Sequence, residues 1–80
     1  MNSEIQMHDL VAITGEIEAN HFDTGRLLTL PKGQIGTVVM VYDGSAFEVE
    51  FADAQGRAFA LLPVAAEKLL LLHDAPASIA

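Results

Sequence analysis

The sequence predicts an all-β domain: five short strands, a long first loop and one helical turn before the last strand. Three observations predict it. Asp43-Gly44, the preferred pair for a two-residue type I′ turn, separates two apolar runs. Ala46 to Phe51 alternates cleanly, with Phe47, Val49 and Phe51 on one face. Asp53-Ala54-Gln55-Gly56 reads as a type I turn closed by a left-handed glycine, so a third strand follows at once.

Taken in order, residues 1–8 form an N-terminal lead-in, 9–73 the domain and 74–80 a flexible tail. Leu10-Val11-Ala12-Ile13 is a compact apolar run with β-branched members, ended by Thr14-Gly15, and reads as the first strand. Glu16 to Lys32 is the least regular stretch. Asn20, Asp23, Gly25 and Pro31 punctuate it, while Ile17, Phe22, Leu27, Leu28 and Leu30 give it apolar content. It reads as a long loop folded over the core, and such loops are often functional. Gly36 to Tyr42 carries the strongest strand signal, and Gly33 and Gly36 permit a tight, positive-φ entry into it. Arg57 to Leu62 is the next strand, stopped by Pro63. Val64 to Lys68 reads as the helical turn, and Leu69 to Leu72 as a final buried strand.

Turn geometry sets pairings. A three-residue loop at Ala54-Gln55-Gly56 places Asp53 opposite Arg57, Phe51 opposite Phe59 and Val49 opposite Leu61. A two-residue turn at Asp43-Gly44 places Met40 opposite Phe47 and Val38 opposite Val49. The inner face then collects Val38, Met40, Phe47, Val49, Phe51, Phe59 and Leu61. The other face carries Val39, Val41 and Leu62 beside Thr37, Glu48 and Glu50. Either the long loop covers those apolar residues or they form an exposed strip rimmed by acid. The covered reading is preferred, since single surface apolar residues are common; the exposed one would mark a partner or dimer surface.

Five short strands with a long first loop and a helical turn before the last strand describe an SH3-like barrel. Lys32-Gly33-Gln34-Ile35-Gly36-Thr37-Val38-Val39 resembles the glycine-rich turn and strand of KOW-type barrels. From His8 to Leu72 the chain also resembles an uncharacterised family of small bacterial proteins, a domain of unknown function. The resemblance is carried by Asp9-Leu10-Val11-Ala12, Leu30 to Val39, Phe47-Glu48-Val49-Glu50-Phe51 and Glu67-Lys68-Leu69. It implies a fold and no activity.

Composition narrows the function classes. The 80 residues allow one domain, and roughly 60% of the unfolded surface is buried on folding, enough for one small core. With no cysteine, a disulfide framework and a zinc-cysteine site are impossible. Four basic residues, Arg26, Lys32, Arg57 and Lys68, face 11 acidic ones for a net charge of -7. That balance disfavours nucleic acid, whose binding depends on neutralised phosphates, and anionic membranes. The N-terminal residues lack the basic and apolar regions of a signal peptide, and no apolar run, Leu69 to Leu72 included, nears the ~20 residues of a spanning helix. The expectation is a cytoplasmic domain.

No catalytic constellation emerges. His8-Asp9, His21-Phe22-Asp23 and His73-Asp74 pair each histidine with a carboxylate, but none has the spacing of a recognised metal site, so no metal or other cofactor is expected. Glu48 and Glu50 share one strand face, ~7 Å apart, which permits acid–base work; as acids on the polar face of an alternating strand they read as solvated charges that blunt aggregation. Pro31-Lys32-Gly33-Gln34-Ile35-Gly36 lacks Walker spacing and precedes a strand, not a helix. Phe47, Phe51 and Phe59 fall on the core face and cannot stack bases.

Docking remains. The chain reads as a non-enzymatic interaction module, antitoxin-like or an accessory to a basic protein, binding that partner or a second copy of itself. Alternatives are a small non-catalytic subunit of a larger enzyme and, as a minor reading, an RNA- or ribosome-associated protein. The candidate partner surface comprises Glu16, Glu18, His21, Phe22, Asp23, Tyr42 and Asp43 around the first loop, with Glu48 and Glu50 on the strand.

Overall fold

The computed structural model describes residues 5–73. The flexible tail expected at 74–80 and residues 1–4 of the lead-in lie outside them. Seven strands form: β1 (Leu10–Ile13), β2 (Ile17–Asn20), β3 (Leu27–Leu30), β4 (Ile35–Tyr42), β5 (Ala46–Ala52), β6 (Ala58–Ala65) and β7 (Leu69–Leu71). A 3-10 turn, Ala66–Lys68, precedes β7. The all-β expectation holds.

Strands β6-β5-β4-β1-β7, in that order, make one antiparallel sheet, and β2-β3 make a separate hairpin. The sheets are not closed into a barrel: β6 and β7 each pair on one side only. The five strands expected from sequence are the five of the main sheet. The long loop expected from Glu16 to Lys32 is instead largely the β2-β3 hairpin. β2 alternates, with Ala19 buried and Glu18 and Asn20 exposed, and β3 buries Leu30 while Leu27 and Thr29 face out. Four-residue strands built on a small Ala and flanked by turn residues leave a weak period-two signal.

The core lies between the hairpin and one face of the main sheet. Val11, Ile13, Val38, Phe47, Val49, Phe51, Ala60, Val64 and Leu69 meet Ala19 and Leu30 of the hairpin, with Ile17, Phe59 and Leu62 packed at its margin. The hairpin is tied to β6 where the Phe22 N–H donates to the Phe59 carbonyl, 3.0 Å. At the sheet centre Gly36 lies opposite Phe51 and Val11. A Cβ there would stand 2.5 Å from Val49 Cγ1 and 2.9 Å from the Phe51 ring. Gly36 therefore serves close approach of the core to the backbone. Its expected positive φ is not found; that conformation belongs to Gly33, at 89°.

Two β-bulges correct the expected registers. Between β4 and β5, Val38 does face Val49, and Thr37 faces Glu50. Beyond the bulge at Val38/Met40 the pairing moves on by one residue: Met40 faces Glu48 and Val41 faces Phe47. Asp43 and Gly44 do adopt the paired positive φ of a type I′ turn, 43° and 82°, and Ser45 N–H donates to the Tyr42 carbonyl. The strand pairs then resume at Tyr42 and Ala46, so Ser45 adds a residue that the bulge takes up on β4. Since side chains alternate, one extra residue turns Met40 outward instead of into the core.

The β5-β6 hairpin behaves alike. Asp53 N–H donates to the Arg57 carbonyl at 2.8 Å and Gly56 has φ 82°, as the turn reading requires. A bulge between Phe51 and Ala52 then makes Phe51 face Ala60 and Val49 face Leu62. The expected partners Phe59 and Leu61 leave the core row, and Leu61 is exposed. Pro63 does not stop the strand. It sits within β6, opposite Glu48, on an edge strand whose open side needs no donor.

Candidate functional site

The hairpin covers one face of the sheet and leaves the other open. Strand alternation and the recorded registers place Glu48 and Glu50 on that outer face, with Thr37 and Met40 beside them on β4 and Leu61 and Pro63 on β6. Further along, Ile35, Ala12 and Leu70 form one cross-strand row. Ile35, Met40, Leu61 and Leu70 are 51%, 50%, 47% and 57% exposed. The apolar strip is thus exposed rather than covered, because the loop expected to cover it is the hairpin packed on the opposite side. Its composition also differs from that expected: Met40 and Leu61 replace Val39, Val41 and Leu62, and Val41 falls in the row of Phe47, as the bulges dictate.

Tyr42 reaches the same face. Its hydroxyl donates to Glu48 Oε1 at 2.7 Å. This bond, followed by burial and the Glu48 charge, raises the phenol above its ordinary pKa of 10.0. No hydrogen bond or ion pair engages the Glu50 carboxylate among the described residues. Glu48 and Glu50 are the only charged residues on the strands of the main sheet: Arg26 lies in the β2-β3 loop, Lys32 and Arg57 in turns, and Lys68 in the 3-10 turn.

The loop residues form a second group. His21 N–H donates to the Arg26 carbonyl at 2.8 Å, and Gly25 N–H to the His21 carbonyl at 2.7 Å. His21 Nδ1 accepts from the backbone N–H groups of Asp23 and Thr24, at 3.1 and 3.3 Å. The ring therefore organises the turn, with its neutral-form hydrogen on Nε2. The Phe22 ring lies 6.0 Å from it, tilted 55° and exposed. Glu16 and Glu18 are exposed on and before β2. Asp43 spends its carboxylate on its own turn, accepting from the Ser45 hydroxyl at 2.8 Å.

Of the sequence-predicted surface, Tyr42, Glu48 and Glu50 come together, while Glu16, Glu18, His21, Phe22 and Asp23 stand apart, on or beside the hairpin that packs against the opposite face. Phe22 is anchored at Phe59 near the start of β6, whereas Tyr42 pairs with Ala46, itself opposite Ala65 at the end of β6. Six residue steps along β6 separate those ends, roughly 20 Å. Sequence reasoning missed Ile35, Met40, Leu61 and Leu70; for Met40 and Leu61 the only missing signal was the bulges. Among the described residues no three His, Asp or Glu side chains converge as metal ligands would, and no helix is long and apolar enough to cross a membrane.

No curated protein and no solved structure matches the chain. The model of the family described as Domain of unknown function (DUF4926) matches residues 7–71. These run from the turn before β1 to the last residue of β7 and so contain the whole sheet, its hairpin and its open face; the chain belongs to that family.

Proposed function

We propose that this protein is a non-enzymatic interaction module that docks on a basic partner protein. One observation carries the reading: the outer face of the main sheet holds four large apolar side chains, each about half exposed, and the only charged residues on its strands are Glu48 and Glu50. Small monomers rarely leave such a face open unless something binds it. The net charge of -7 selects a cationic partner and repels phosphate-bearing ones. The strand order β6-β5-β4-β1-β7, with a hairpin after the first strand and a 3-10 turn before the last, supports an SH3-like arrangement left open as a sheet.

The test is affinity capture of the tagged chain from its native lysate after nuclease treatment, read by mass spectrometry. The expected result is one dominant basic protein that rebinds the purified chain and weakens with salt. Recovery of the chain alone overturns the reading.

A further inference from the structure

We infer that the cationic partner docks on the acidic half of the outer face, with Lys or Arg side chains between Met40 and Leu61 and over Glu48 and Glu50. This rests on the interaction-module reading and adds the place and the mode of contact. Two cross-strand rows build the surface: Met40–Glu48–Pro63 and Thr37–Glu50–Leu61. Each row sets a carboxylate between neighbours that offer methyl, thioether or ring surface. Glu48 is half spent on the Tyr42 hydroxyl, and Glu50 engages no side chain among the described residues. No strand of the main sheet carries a Lys or Arg, and no ion pair engages either carboxylate among the described residues, so both charges are open to a cation from outside. A cation seated beside apolar neighbours also buries its own methylene stem there.

The edges argue that the contact uses side chains and not strand addition. Ala66 N–H donates to the Ser45 carbonyl, which fixes the parity of the β5-β6 ladder. By that parity Leu61, Pro63 and Ala65 turn their backbone groups to the open edge, and Pro63 removes the middle donor. At the other edge β7 has only 3 residues. Both edges are blunted against pairing, while the face between them is open.

The probe is a short amphipathic helical peptide of Leu and Lys, titrated at low salt into the isotopically labelled full chain and followed by amide shifts. Shifts are expected to concentrate at Met40 to Tyr42, Glu48 to Glu50 and Leu61. The double variant Glu48→Gln, Glu50→Gln should weaken binding about tenfold, a typical loss for two close charge contacts. Glu16→Gln with Glu18→Gln removes the same charge elsewhere and should leave affinity within about twofold. The isosteric substitutions lie on exposed or half-exposed positions, and the amide spectrum reports whether each variant keeps the fold. Equal weakening by both pairs means diffuse attraction to an acidic protein and overturns the proposal, as do shifts confined to residues 21–26 or to Ile35 and Leu70. A lysate partner that binds the wild type and the Glu48, Glu50 variant equally sinks this site but leaves the module reading standing. Peptide binding at this face with no partner recovered does the reverse.

Discussion

On β5, Phe47, Val49 and Phe51 point into the core, whereas Glu48 and Glu50, one step along the same strand, stand on the outer face beside exposed Met40 and Leu61. The inner face is closed twice, by its own cross-strand rows and by the hairpin residues Ala19 and Leu30. The outer face is closed by nothing else in the described chain. A change on the inner face must therefore be absorbed by packed neighbours. On the outer face it meets solvent, and its cost is small for folding and large for whatever docks there.

The strongest way to break this contrast is Val49→Asp. Val49 is fully buried, and its cross-strand partners are Val38 and Leu62. An unpaired carboxylate there costs on the order of 4 kcal/mol or more, most of what a domain of this size holds. Circular dichroism and a thermal melt should show loss of the cooperative transition. A melt close to wild type would mean that β5 does not present this face to the core. Glu50→Ala, one residue on, should change stability by less than about 0.5 kcal/mol.

Gly36→Ala comes next. The added methyl meets Val49 Cγ1 at 2.5 Å and the Phe51 ring at 2.9 Å, both held by the core. Overpacking of this sort costs about 1–3 kcal/mol, visible as a lower urea midpoint. Gly15 is the control: nothing lies within 4 Å of its added Cβ, so Gly15→Ala should be neutral or slightly stabilising. Equal effects at the two glycines would show that the sheet breathes enough at its centre to admit a methyl.

The same contrast explains what was legible in the sequence. The inner face of β5 could be read because Phe47, Val49 and Phe51 repeat a two-residue period with no polar interruption. The Asp43-Gly44 turn could be read from its chemistry, since both residues take positive φ. The bulges at Val39 and Phe59 could not. An extra residue in a strand has no composition of its own when every neighbour is apolar, and a run such as Val38-Val39-Met40-Val41 fits either phase. Those two insertions decided that Met40 and Leu61 face outward, so the apolar half of the candidate site was hidden while its acidic half, Glu48 and Glu50, was visible. β2 and β3 were obscured differently: His21 to Arg26 looks like loop because it is one, and the short strands on either side borrow its appearance.

The hairpin offers a gentler test of how the inner face is closed. His21→Ala removes the Nδ1 acceptor shared by the Asp23 and Thr24 N–H groups. Exposed bonds of this kind are worth about 1 kcal/mol, so global stability should fall by roughly that amount, with faster hydrogen exchange at Ala19 and Leu28 than in β4 or β5. His21→Asn restores a short side-chain acceptor suited to the same turn and should recover most of the loss. If Asn and Ala behave alike, the imidazole holds the turn by packing and not by accepting.

The smallest expected effect is on the outer face, at Tyr42. The chain has one tyrosine and no tryptophan, so the ultraviolet absorbance of phenolate reports this residue alone. Its hydroxyl donates to Glu48, and that bond is the first cause of a pKa raised above 10.0, ahead of burial and the carboxylate's charge. The folded chain thus holds the phenol proton more tightly than the unfolded one. The contribution to stability is complete below pH 10 and is lost as pH rises through the folded-state value. Glu48→Gln removes the charge and weakens the acceptor, so the midpoint of the absorbance titration should fall toward 10.0, while Glu50→Gln should move it less. A midpoint unaffected by Glu48→Gln would separate Tyr42 from Glu48 in solution. Both carboxylates would then stand equally free on the outer face, and the two rows there would differ only in their apolar neighbours.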